Sequence, residues 1–90
     1  MAKITVTRID ENEFCVTVVE GDSTTVHNVT ALDEDSHRYG GDVSAERLIE
    51  LSFEFLLERE QKESILAKFD LPIIEHYFPE YPRAIRKRLG

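Results

Sequence analysis

Apolar and polar residues alternate along the first third of the chain. Ile4 and Val6 fall on one side of an extended segment with Thr5 and Thr7 on the other, and over residues 13–20 Phe14, Val16 and Val18 share a face. Both patterns have strand spacing. Asp10-Glu11-Asn12 separates these segments, and Glu20-Gly21-Asp22-Ser23 separates the second from Thr24-Thr25-Val26-His27-Asn28-Val29-Thr30. These links are of hairpin length and rich in turn formers, so the pattern predicts a three-stranded antiparallel meander within residues 1–31. The second strand is the most apolar and β-branched and is expected at the centre.

The spacing changes at Ser44. Its side chain suits a helix N-cap, and Val43 and Leu48 flank it at hydrophobic-staple spacing. From Ala45 to about Glu60, Leu48, Ile49, Leu51, Phe53, Phe55 and Leu56 cover a wide arc, opposite Arg47, Glu50, Glu54 and Glu58. Gln61-Lys62-Glu63 breaks the apolar pattern, and a short segment containing Ile65, Leu66 and Phe69 follows, capped by Ser64 or by the residues before it. Asp70-Leu71-Pro72 marks a further helix start over 72–78, Pro79 ends it, and Pro82 opens a last short helix to Leu89. Residues 32–43, acidic and carrying Gly40-Gly41, read as a loop. Only the long helix is large enough to cover one face of the meander. The expectation is an α+β fold in a single domain over 1–90, with the meander packed on one long helix and two or three short C-terminal helices in the helical part, 44–90.

Ser52-Phe53-Glu54-Phe55-Leu56-Leu57-Glu58-Arg59-Glu60, continuing through Glu63-Ser64-Ile65-Leu66 and Phe69-Asp70-Leu71-Pro72 to Glu75-His76-Tyr77-Phe78-Pro79-Glu80-Tyr81-Pro82, resembles a group of short, uncharacterised bacterial proteins. The resemblance covers residues 44–85 and extends loosely to the strands. It implies a small bacterial or archaeal protein and carries over no activity, cofactor or site residue.

Composition narrows the classes of function. Ninety residues, 41% hydrophobic and 32% charged, supply material for one core and for no membrane span. No apolar stretch near the start has the length of a secretory signal, so a cytoplasmic location is expected. Cys15 is the one cysteine, which excludes an internal disulfide framework and cysteine-rich zinc sites. The net charge is −7, yet Arg83, Arg86, Lys87 and Arg88 give the last ten residues +4 with no acid, against −11 for the rest. That basic tail suits the end of a helix, or the acidic body of a second copy; gripping nucleic acid is disfavoured, because the body would repel it.

Candidate chemistry is sparse. Asp33 and Asp35 with His37 gather oxygen and nitrogen donors, but a calcium loop begun at Asp33 would need Gly at Arg38 and Glu at Ser44. His27 is read as a surface residue facing opposite to Val26, and His76 and its helix neighbour Glu75 do not face one another and are poor candidates for a shared metal. Cys15 has no basic neighbour to activate it, and Ser44 lacks the Gly-x-Ser-x-Gly setting of hydrolases. No catalytic group and no cofactor follow from these residues. The expected function is a non-enzymatic interaction module or self-associating subunit, binding a protein partner or a second copy through Phe53, Tyr77, Phe78, Tyr81, Arg83 and Arg86. A small metal-dependent enzyme built on the acidic and histidine segment is the alternative, and weak nucleic-acid binding by the tail a second one.

Overall fold

The computed structural model describes residues 2–89. Its strands are β1 (Lys3–Arg8), β2 (Glu13–Glu20), β3 (Ser23–Thr30) and β4 (Lys68–Asp70); its helices are α1 (Asp33–Gly40), α2 (Ala45–Leu57), α3 (Ile73–Tyr77) and α4 (Tyr81–Leu89), with one 3-10 turn at Lys62–Ser64. The fold is α+β with a mixed sheet in the order β1-β2-β3-β4. The first three strands form the expected antiparallel meander, with Val16 between Val6 and His27 at its centre. Gly21 takes a φ of 58° in the two-residue link from Glu20 to Ser23, where left-handed backbone favours glycine.

Three expectations are corrected. A fourth strand runs parallel to β3, Phe69 beside Val29, where the sequence suggested a short segment of the helical part. Asn28 N–H donates to Ala67 O at 2.7 Å and Leu71 N–H to Thr30 O at 2.8 Å, so the open edge of β3 supplies the partner. Residues 32–43 are mostly helix rather than loop. Asp33, Glu34 and Asp35 occupy the first turn of α1, where the positive helix end favours acids, and Gly41 closes it at φ 61° with its N–H on His37 O. Finally, His27 does face opposite to Val26, but inward: it is 2% exposed while Val26 is 59% exposed.

One continuous core follows from the two sides of α2. Ser44 Oγ accepts from Arg47 N–H at 3.1 Å and fixes the start of this helix, as its sequence predicts. At about 100° per residue, Phe53 and Phe55 point to nearly opposite sides. Phe53 packs toward the sheet, 5.3 Å from the His27 ring and 6.1 Å from Phe69. Phe55 packs away from it, 5.5 Å from Tyr81 and 5.9 Å from Phe78, with the Arg59 guanidinium 3.7 Å over its ring. Phe53 and Tyr81, expected at an interaction surface, are both fully buried and hold the core instead. Among the described residues no helix is long and apolar enough to cross a membrane.

Tyr81 ties α4 to α2. Ser52 Oγ gives its proton to Leu48 O at 2.7 Å, so in the 2.7 Å bond between the two hydroxyls Tyr81 is the donor. Replacing Tyr81 by Phe removes that one bond and keeps the ring, with an expected loss of about 1 kcal/mol, whereas Tyr81→Ala should cost about 3–5 kcal/mol through the cavity it leaves. Urea unfolding of the two variants checks both figures.

Candidate protein-interaction groove

The chain leaving α2 is pinned before it reaches β4. Lys62, 4% exposed, holds Glu63 at 2.6 Å and Glu20 at 3.5 Å, and Ser23 Oγ donates to Glu63 at 3.2 Å, which fastens the 3-10 turn to the end of the β2–β3 hairpin. The Lys62 ammonium in turn holds the Glu63 carboxyl below its ordinary range. Four residues on, His27 takes the Leu66 carbonyl. A carbonyl only accepts, so His27 Nδ1 carries the proton at 2.8 Å, and Nε2 meets Thr25 Oγ1 at 2.8 Å. With its backbone held from below, Leu66 projects its side chain outward.

This path leaves a groove of about 400 Å³ between the end of α2, β4 and α3. Leu56, Ile65, Phe69 and Ile74, all buried, form its floor; Leu66, Ile73, Tyr77 and Phe78 form its rim. Leu66 is 46% and Tyr77 61% exposed. Glu60 and Ser64 are its polar members. Partial burial holds the Glu60 carboxyl above its ordinary value, and it makes no hydrogen bond or ion pair among the described residues. The surrounding acids are engaged: Arg88 and Arg59 pair with Glu58, and Arg59 also holds Glu80 at 3.1 Å.

The residues singled out in the sequence are dispersed. Tyr77 and Phe78 belong to the groove. Arg83 and Arg86 are exposed on α4, where Arg86 lines a smaller cleft with Arg38, Tyr39, Glu75 and Pro82. Arg88 folds back on Glu58 and stands 5.9 Å over Phe55, which shortens the basic footprint of the tail. Asp33, Asp35 and His37 all lie on α1. Asp33 and His37, one turn apart, share a side of the helix; Asp35 lies on another and is 3.6 Å from Arg38. Among the described residues no group of three or more His, Cys, Asp and Glu is placed to hold a metal. Leu66 and Ile73 were legible only as apolar positions of two short segments, and Glu60 had no mark at all, because what gathers them is a strand whose partner lies far back in the chain.

Beside Arg86, Tyr39 OH donates to Glu75 Oε1 and accepts from Arg38 Nη2, both at 2.6 Å. Burial and the Glu75 bond push the phenol from 10.0 to about 12. Burial raises Tyr81 as well. Comparison with protein-family models, curated proteins and solved structures finds no match to this chain.

Two outcomes follow. Because the folded state holds the Tyr39 proton more tightly than the unfolded chain, that part of the stability is intact below pH 10.0 and is lost as the pH climbs toward about 12. Denaturant unfolding at stepped alkaline pH should show this fall, and Tyr39→Phe should reduce it. Millimolar zinc, manganese or calcium should leave Tm unchanged, since a metal that binds only the folded state would raise it.

Proposed function

We propose that the chain is a non-enzymatic protein-interaction module of the cytoplasm, docking a protein partner in the groove between α2, β4 and α3. The observation that carries this reading is the exposure of Leu66 and Tyr77 at the rim of an apolar depression whose floor is already packed. Apolar anchors seated in pre-formed pockets dominate the energetics of many interfaces, and tyrosine is enriched among them. A volume of about 400 Å³ suits one or two bulky side chains. In this reading Tyr77 and Phe78 contact the partner together with Leu66 and Ile73, while the buried Phe53 and Tyr81 and the α4 residues Arg83 and Arg86 lie outside the groove.

The test separates binding from folding. Leu66→Ser and Tyr77→Ser alter exposed side chains and should each change unfolding free energy by no more than about 0.5 kcal/mol. A photo-crosslinking residue at Ile73 should capture a protein in the wild-type background and lose it in the double variant. Absence of any captured protein, together with a monomer in sedimentation at all concentrations, would remove the reading.

A further inference from the structure

Glu60 stands on a rim shared by two depressions. On one side is the apolar groove; on the other is a polar cleft of about 510 Å³ lined by Glu20, Glu58, Glu60 and Glu63 against Arg59 and Lys62. Both cations are committed, Arg59 to Glu58 and Glu80, Lys62 to Glu63 and Glu20. Glu60 is the acid left over, partly dehydrated by its apolar neighbours and without a cation among the described residues. An ionised carboxylate in that position is held at a cost which an incoming positive charge would remove. The chain's net charge of −7 acts in the same direction, drawing a basic partner toward the cleft.

Resting on the docking reading above, we infer that the groove selects a peptide segment of a partner protein in which a bulky apolar residue lies within a few positions of Lys or Arg. The apolar side chain enters between Leu66 and Tyr77, and the cation pairs with Glu60 at the rim. Specificity is then divided: the groove sets the size of the anchor, and Glu60 rejects segments that place an acid or nothing charged beside it.

Selection from a random peptide display library against the full chain tests this. Enriched sequences should combine an aromatic or large aliphatic residue with a nearby Lys or Arg. A synthetic peptide of that sequence should bind about tenfold more weakly to E60Q than to wild type. Replacing its basic residue by norleucine should cost as much in wild type and little in E60Q, a comparison that does not depend on the variant's stability. Enriched peptides without a basic residue, or equal binding by E60Q and wild type alongside a loss in Tyr77→Ser, would overturn this inference and leave the groove standing. Binding unmoved by either substitution would remove the groove reading itself. Tighter binding of a simple alkylamine than of any selected peptide, or self-association abolished by E60Q, would also overturn the choice of occupant.

Discussion

The fold depends on a helix that must be buried on two sides at once. Sheets of this kind need one cover, and α2 supplies it through Phe53 and its neighbours; but Phe55, half a helical circumference away, is just as apolar and needs a cover of its own. Tyr81 and Phe78 provide it, with the Tyr39 ring tilted against Tyr81 at 5.0 Å. After Leu57 the chain first adds Phe69 to the sheet side and then returns through Phe78 and Tyr81 to bury that second face. The basic tail belongs to the same economy, since Arg59 and Arg88 close over Phe55 while answering Glu58.

The groove arises because that return is incomplete at one end. Lys62 and its two glutamates hold the chain low against the hairpin, and His27 holds Leu66 by its carbonyl, so the segment crosses beneath the end of α2 without filling the space beside it. Fully burying a Leu or Phe side chain is worth about 1.5–3 kcal/mol, and here Leu66 and Tyr77 forgo much of it. Leu66 is fixed in that position by the His27 bond to its carbonyl. A rigid scaffold with an unfilled apolar depression is what separates a docking surface from a scattered exposed residue.

Much of the architecture was legible along the chain. The meander, its central strand, the cap at Ser44 and the wide apolar arc of the long helix all follow from local spacing. The elements that escaped share a cause. α1 buries only Tyr39 and Gly40, so it has almost no apolar period to read; its trio of acids and its closing Gly41 were a start and stop signal that composition disguised as a loop. β4 is three residues long and is defined by β3. His27 followed the parity of Val29, two positions on, which is a core residue; its ring is affordable inside because both nitrogens find partners, one of them Leu66, thirty-nine residues away. Of the candidate site, Tyr77 and Phe78 at the end of α3 could be picked out, whereas Glu60 and Leu66 acquire meaning only from contacts that no local window contains.

The parallel pairing of β4 with β3 also sets an order of events in time. Asn28 meets Lys68 across forty positions of chain, whereas the hairpins of the meander close over links of a few residues. Closure entropy and slow non-local pairing place the last strand late in assembly, after the meander has formed its edge. The wall of the groove is therefore the last edge added to the sheet, and a ligand lodged against it would act as a late-added piece of the interior.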